Sequence, residues 1–236
     1  MNEVAKLLKE KYPVKIEMHS HSSGVSKCAS VSPEQLVRYY KGEGYDGIVL
    51  TNHLYFENAK NEASLRTLID EIFQEWEKAR AEGDRIGIRV YCGVEIRFEK
   101  SINDYLLYGA DREFFDSLTL ENIKSLEAFA LVRPRDALFV QAHPFRTGMT
   151  LAPESLIDGV EVFNVHKNHH ARVGVAAKYA EEMGFLAICG TDYHHTDNGA
   201  LSALRTKTLP ENEKALAAMI KSEDVAWQIG CAMLVF

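Results

Sequence analysis

The order of predicted secondary structure constrains the fold of this chain most. Short apolar runs typical of β-strands alternate with helical stretches along most of its length, and such alternation is typical of parallel βα units. Polar residues end strand after strand. This favours a closed barrel over an open sheet, because a βα barrel builds its active site at the carboxyl ends of its strands. The seven predicted strands cover residues 14–18, 47–50, 89–98, 104–108, 137–141, 160–163 and 185–189.

Two of the predicted helices carry clear boundary signals. Ser32 and Pro33 are typical of the N-cap and first position of a helix that runs to residues 42–44. A long charged helix is predicted from residue 62 to about 81, stopped at Gly83. Its apolar side chains recur at helical spacing and are expected to face the strands.

The composition excludes several classes of protein. Of the 236 residues, 46% are hydrophobic and 26% charged, which excludes a disordered chain or a collagen-like repeat. The formal charge is −7, so no stable nucleic-acid complex is expected, because such binding depends on neutralising phosphates. No Pro/Gly/Ser-rich linker or internal repeat divides the chain, and one domain over residues 1–236 is predicted. The oligomeric state stays open.

A cytoplasmic location is the expectation. No apolar run approaches the ~20 residues that span a bilayer. The N-terminus is charged and lacks the apolar core of a signal peptide. The four cysteines are scattered without a C-x-x-C pair, as expected of reduced thiols.

Histidines and carboxylates recur at the predicted strand ends. His19 and His21 are two residues apart, so on an extended strand they lie on one face and can reach one ion. Alone, this H-x-H pattern is a weak signal. The same kind of residue then recurs on other strands, and imidazole with carboxylate suits zinc, manganese or iron(II). The further candidates are His53, Glu95, His143, Asp192 and His194.

The ordered motifs resemble those of the PHP (polymerase and histidinol phosphatase) superfamily of metal-dependent phosphoesterases. They read EMHSHSS from residue 17, TNH from 51, GVEI from 93, AHPF from 142 and GTDYHH from 190. The resemblance implies an α/β fold, a distorted seven-stranded (β/α)7 TIM-like barrel, with two or three divalent ions that hydrolyse phosphate esters. By resemblance, His19, His21 and Asp192 bind a first metal, Glu95 bridges it to a second, His143 binds the second, and His53 and His194 bind a third.

Three positions depart from the family pattern. The stretch after the H-x-H has no imidazole or carboxylate, and Cys28 is interpreted there as a buried structural thiol rather than a soft ligand. Asp111 stands where some members have a histidine, and it either replaces that ligand or caps the next helix. Asn52 stands where the family has Asp before His53. We interpret it as structural or as a residue that supports the ligands.

The expected mechanism is attack of a metal-activated water on phosphorus, with Glu95 and Asp192 holding the ions. Arg146 is predicted either to bind a phosphate or to form a surface salt bridge, and Arg97 is a second candidate. His194 would protonate the leaving group if no third metal binds. His169, in a histidine-rich stretch after the sixth strand, is a candidate for the substrate mouth. Glu17 is predicted to orient His19.

Two other functions stay open at this point. An amidohydrolase-type barrel also begins with H-x-H and ends with a strand Asp, and it cleaves C–N bonds. Many such enzymes use a carboxylated lysine on a middle strand, and none of the predicted middle strands holds a lysine. The chain could also be a partly vestigial PHP-like module without catalysis. The substrate, and the choice between monoester and diester, stay open.

Overall fold

The computed structural model describes residues 3–166 and 168–235. Within these ranges the chain forms helices and strands in alternation. The helices are α1 Glu3–Lys11, α2 Pro33–Gly42, α3 Glu62–Ile86, α4 Arg112–Ser117, α5 Leu126–Val132, α6 Val173–Met183 and α7 Glu213–Lys221. The strands are β1 Val14–Ser20, β2 Gly47–Leu50, β3 His53–Tyr55, β4 Arg89–Arg97, β5 Tyr105–Tyr108, β6 Leu138–Gln141, β7 Gly159–Asn164, β8 Leu186–Gly190, β9 Ser202–Thr206, β10 Ala226–Ile229 and β11 Ala232–Leu234.

One curled sheet contains all of these strands. Its order is β11-β10-β9-β1-β2-β4-β5-β6-β7-β8, and β3 also pairs with β4. A parallel bridge between Ser20 and Tyr193 joins the end of β1 to the segment that follows β8, so the sheet curls back towards its start. The mixed α/β class is confirmed. Each of the seven predicted strands overlaps an observed one, but the count of seven is not confirmed, because β3, β9, β10 and β11 belong to the same sheet.

The strand directions differ from the prediction at one place. Strands β1, β2 and β4 are mutually parallel, as are β6, β7 and β8. Strand β5 runs antiparallel to both of its neighbours, β4 and β6. Its amino end therefore lies beside the carboxyl ends of the parallel strands. The prediction of parallel βα units throughout is wrong at β5.

Local sequence signals explain the helix boundaries. Ser32 accepts a hydrogen bond from the Gln35 backbone N–H, and the Gln35 side chain accepts one in return, as a capping box. Helix α3 continues through Gly83 and ends at Gly87, which has φ of 77° in the left-handed region that favours glycine. Gly83 serves close packing instead, because a Cβ there would lie 2.5 Å from the Ile88 carbonyl oxygen.

The apolar core lies between the sheet and the helices. The predicted inner face of α3 packs on it, with Trp76 partly buried. The buried members of that face are Leu65, Leu68, Ile69, Ile72 and Phe73. No helix in the described ranges has the length and apolarity that crossing a membrane requires.

Candidate metal centre

The curled sheet brings its polar strand ends together on one side. Strand β1 supplies His19 and leads into His21, β3 begins with His53, and β4 carries Glu95. His143 follows β6, while Asp192 and His194 follow β8. All seven residues predicted as ligands are buried, with exposures of at most 7%. Three groups have donor atoms within 4.8 Å of one another, and the first two share His21: His19, His21 and Asp192; His21, His53 and His194; and Glu95, Asp104 and His143.

The first group has the spacing of ligands around one ion. Asp192 Oδ1 lies 3.5 Å from His19 Nε2 and 3.4 Å from His21 Nε2. Zinc–ligand bonds of ~2.0–2.2 Å place two donors on one tetrahedral ion about 3.4 Å apart. Both Nε2 atoms are buried and have no hydrogen-bond partner among the described residues. Because a buried polar atom without a partner is costly, these nitrogens fit a metal ion.

Glu95 lies at the centre of the cluster. Its Oε1 is 3.1 Å from His143 Nε2 and 3.5 Å from His19 Nε2. Its Oε2 is 3.0 Å from His53 Nε2 and 3.6 Å from His21 Nε2. Burial would raise the pKa of Glu95, but a hydrogen bond from His143 and the neighbouring charge of His19 hold it well below its usual value. An ionised carboxylate with imidazoles on both oxygens fits a bridge between two cations.

Asp104 is a candidate ligand that sequence analysis missed. Because β5 is antiparallel, Asp104 at its amino end reaches the cluster, and its Oδ2 is 3.9 Å from His143 Nε2. Asp111, beyond the opposite end of β5, caps α4 through the Phe114 N–H and pairs with Lys214 on the surface. Of the two readings of Asp111, the structure supports the helix cap.

A carboxylate that was not predicted holds the ring of His19. Glu161 in β7 is buried, and its Oε1 is 2.9 Å from His19 Nδ1. Its Oε2 accepts hydrogen bonds from the His143 N–H and from Asn164 Nδ2. A carboxylate on the far ring nitrogen fixes a metal-binding histidine and raises its basicity. The signal in the sequence is a lone carboxylate inside an otherwise apolar strand.

Glu17 does not orient the His19 ring, contrary to prediction. Its carboxylate instead accepts hydrogen bonds from the backbone N–H groups of Met18, His19 and Thr191. The Thr191 hydroxyl donates to it as well. These bonds join the end of β1 to the segment that follows β8. Burial raises the pKa of Glu17 to about 7.

His21 differs from His19 in its surroundings. Burial together with the neighbouring His194 and His53 lowers the pKa of His21 well below its usual value. The pKa of His19 is raised despite burial, because Glu161 and Asp192 lie beside it. Burial would raise the pKa of Asp192, but His19 and a hydrogen bond from His194 hold it well below its usual value.

The two predicted phosphate-binding arginines are engaged by carboxylates. Arg146 Nη2 lies 2.5 Å from Asp192 Oδ2, and its Nε is buried without a partner among the described residues. Arg97 forms a fork onto Asp104 with distances of 2.7 and 2.8 Å, over the ring of Tyr55. Arg146 thus lies beside the cluster with donor capacity left. Arg97 chiefly neutralises Asp104.

A cavity of about 480 Å³ opens above the cluster. His169, the candidate for the substrate mouth, lies on its wall together with His166 and Lys27. Cys28 is on the wall too, exposed, with its Sγ 3.9 Å from His53 Nδ1. The prediction of a buried structural thiol is therefore wrong. Partial burial would raise the pKa of Cys28, but hydrogen bonds with His194 and His53 lower it to about 6.

Two residues of the cluster have unusual backbone conformations. His143 has φ of 32° and Asp192 has φ of 54°, in the left-handed region that non-glycine residues rarely adopt. Backbone strain of this kind is held in place by surrounding contacts and clusters at functional sites. Asn52 fits either of its two interpretations, as a structural residue or as one that supports the ligands. Its side chain bonds to Ser22 and Ser26.

The fold and the cluster define an α/β protein with a candidate metal centre at the strand ends. Solved structures with a similar fold include proteins described as metal-dependent phosphoesterases. The chain matches a two-domain protein containing a predicted PHP-like metal-dependent phosphoesterase from Bacteroides vulgatus, with TM-score 0.63 and 15% identity over 92% of this chain. It spans 65% of that protein's length. A candidate metal-dependent phosphoesterase from Bifidobacterium adolescentis matches with TM-score 0.54 and 14% identity, covering 87% of this chain and 95% of the other.

An amidohydrolase from Chromobacterium violaceum, solved with bound sulfate and no metal, is also similar. Its TM-score is 0.50 at 16% identity, over 77% of this chain and 88% of that one. No protein-family model matches the sequence, and no curated protein is significantly similar to it. At such identities the likeness shows the fold, which hosts more than one activity. The resemblance to the PHP superfamily predicted from the motifs is confirmed at the level of the fold.

Proposed function

We propose that the chain is a metal-dependent hydrolase that cleaves the phosphate ester of a small phosphorylated metabolite or nucleotide. The observation that carries the proposal is the buried cluster in which Glu95 lies between four imidazoles, and in which two Nε2 atoms have no hydrogen-bond partner among the described residues. When bound, divalent ions such as zinc, manganese or iron would activate water and neutralise phosphoryl oxygens. Two or three ions fit the three donor groups.

The residues around the cluster support a phosphate ester. Arg146 lies beside Asp192 with unused donors and would bind a phosphoryl oxygen. Lys27 and His169 on the cavity wall add cationic or hydrogen-bonding capacity for the rest of the substrate. The cavity of about 480 Å³ suits a small molecule. A net charge of −7 does not oppose this, because the field at the strand ends governs binding and the ions are part of that field.

His194 has two proposed roles that depend on the number of ions. Burial would lower the pKa of His194, but hydrogen bonds with Asp192 and Cys28 raise it to about 10. With two ions bound, a protonated His194 would give its proton to the leaving alkoxide. With a third ion, His194 would instead hold that ion together with His21 and His53.

The test is substitution of the central ligands. His19→Ala and Glu95→Ala should each reduce metal content and abolish hydrolysis of an aryl phosphate monoester and an aryl phosphodiester. His170→Ala, at an exposed histidine outside the cluster, is the matched control and should keep both. If the His19 or Glu95 variant retained full metal content and rate, the proposal would be wrong.

The amidohydrolase alternative is favoured by the likeness to the Chromobacterium violaceum protein. Release of ammonia rather than phosphate from a substrate panel would favour it. A vestigial module would hold under one equivalent of metal even after reconstitution. The proposed enzyme should reach about two.

A further inference from the structure

A buried network of hydrogen bonds leads from helix α3 to His21. Glu75 of α3 accepts from the Ser22 hydroxyl at 2.9 Å, and Ser22 Oγ accepts from Asn52 Nδ2 at 2.9 Å. Asn52 Oδ1 lies 3.0 Å from Ser26 Oγ, which is 3.3 Å from His21 Nδ1. Ser22, Ser26, Asn52 and His21 have no exposed surface. The residues that support His21 are Ser22, Ser26, Asn52 and Glu75, and none of them takes part in the proposed chemistry.

A backbone group sets the direction of the network. The Ser22 N–H lies 2.9 Å from the Asn52 side chain and can only donate, so the atom facing it must be Oδ1. The Asn52 amide nitrogen therefore faces Ser22 Oγ and donates to it. The single proton of the Ser22 hydroxyl is then left for Glu75, which as a carboxylate only accepts.

The same reasoning fixes the proton on His21. Asn52 Oδ1 only accepts, so Ser26 gives its one hydroxyl proton to it. Ser26 Oγ also accepts from the His53 backbone N–H at 3.2 Å, which leaves one acceptor site. Toward His21, Ser26 can therefore only accept. The proton of a neutral His21 must sit on Nδ1, and Nε2 must carry the lone pair.

We propose that Ser26 and Asn52, with Ser22 and Glu75 behind them, are positioning residues that hold His21 in its Nδ1–H tautomer. The tautomer follows from the network alone, whereas its use as a metal ligand rests on the proposed function. This arrangement differs from that at His19, whose Nδ1 is hydrogen-bonded directly to the carboxylate of Glu161. His21 is oriented by the neutral hydroxyl of Ser26, and the carboxylate of this network, Glu75, lies three residues further along it, beyond Asn52 and Ser22.

The network also accounts for Asn at position 52. In Asn52→Asp, a carboxylate oxygen would replace Nδ2 and would face Ser22 Oγ. That hydroxyl has one proton, which Glu75 already receives, so one of two buried carboxylates would lose its donor. Glu75 would still accept hydrogen bonds from the Gly24 N–H and from Lys78. Replacing Glu75 with Gln, a neutral acceptor, should relieve this conflict.

The first test reads the tautomer directly. Histidine-¹⁵N NMR of the metal-free full chain, with the His21 signal assigned by substitution, should show a protonated Nδ1. In Ser26→Ala this preference should weaken, and Ser26→Thr should restore it. Ser23→Ala, at an exposed serine of the same loop, is the matched control and should match the wild type. A protonated Nε2 in the wild type, or an unchanged His21 signal in Ser26→Ala, would overturn the proposal.

The second test measures metal affinity by competition of zinc with a chelator. Ser26→Ala should weaken binding ~10–100-fold, the usual effect of removing a group that supports a ligand. Asn52→Asp should weaken it by a similar factor, and adding Glu75→Gln should recover at least half of that loss on a logarithmic scale. Effects that simply add in the double variant would overturn the role of Glu75. If His21 has the proposed tautomer while neither wild type nor variants bind zinc, the proposed function fails and the network stands.

Discussion

Gly190, the last residue of β8, lies against His19 and tests how closely the centre is packed. A Cβ at position 190 would be 2.4 Å from His19 Cβ and 2.7 Å from Glu161 Oε1. His19 Cβ is rigidly attached to β1, so it cannot rotate away as the tip of a side chain could. Gly190→Ala must therefore push β8 away from β1 or displace His19 from Glu161.

The size of the effect follows from this overlap. Two carbon atoms in contact lie ~3.5–4.0 Å apart, so more than an ångström of separation must be gained. Overpacking of this kind costs about 1–3 kcal/mol. For a chain of this length each kcal/mol corresponds to about 2–4 °C, which gives a Tm lower by about 2–12 °C. Loss of the contact between His19 and Glu161 should also weaken zinc binding ~10–100-fold.

The assays are thermal unfolding with and without chelator and zinc competition. Gly174→Ala makes the same chemical change in α6, where a Cβ meets no heavy atom within 4 Å. There the substitution should stabilise the protein by about 0.5–1 kcal/mol, as alanine does in a helix. If Gly190→Ala unfolded within about 1 °C of the wild type and kept its zinc affinity, the packing argument would be refuted.

Three further predictions concern charge. Asp104→Asn should lower metal content and activity, which elemental analysis and an activity assay measure. Asp111→Asn should leave both unchanged. It should cost at most about 1 kcal/mol of stability, because it removes only a helix cap and a surface ion pair. The pKa of Glu17 is raised from 4.5 to about 7 by burial, so its contribution to stability is fully present below pH 4.5 and is lost as pH rises through 7. The total is about 3 kcal/mol, and urea unfolding in chelator should show a flatter profile between pH 5 and 8 for Glu17→Gln. Removing metal from the wild type should lower Tm, and zinc should restore it by a stabilisation that grows with the logarithm of one plus its free concentration over Kd; an unchanged Tm would contradict the fit of the cluster to ions.

Much of the centre could be predicted because it repeats one local pattern. A histidine or carboxylate at a strand end can be recognised from periodicity without knowing what lies opposite. The seven residues found in this way all lie in the cluster. Their convergence required only that most strands be parallel, which short strands and intervening helices indicate.

The residues that were missed depend on information that periodicity does not carry. Asp104 and Asp111 flank the same strand, and only the direction of β5 decides which of them reaches the centre. Glu161 interacts with residues far away in the chain, so its role is invisible until β7 is placed beside the histidines. Gly83 was predicted to end α3 because glycine commonly ends helices. Glycine also allows close packing, and at position 83 it is this close packing that requires it.

The bridge between Ser20 and Tyr193, and the bonds of Glu17 beside it, also bear on the order of folding. Glu17 and Thr191 are 174 positions apart in the chain, so their contact closes a long loop, and the entropy cost of that closure slows its formation. A nascent chain that ends before Asp192 lacks one of the three candidate ligands of the first group and cannot complete that group. Metal retention should therefore report that both ends of the curled sheet have met. A protease cut that loosens the junction between the end of β1 and the segment after β8 should release metal before the helical content of the protein falls.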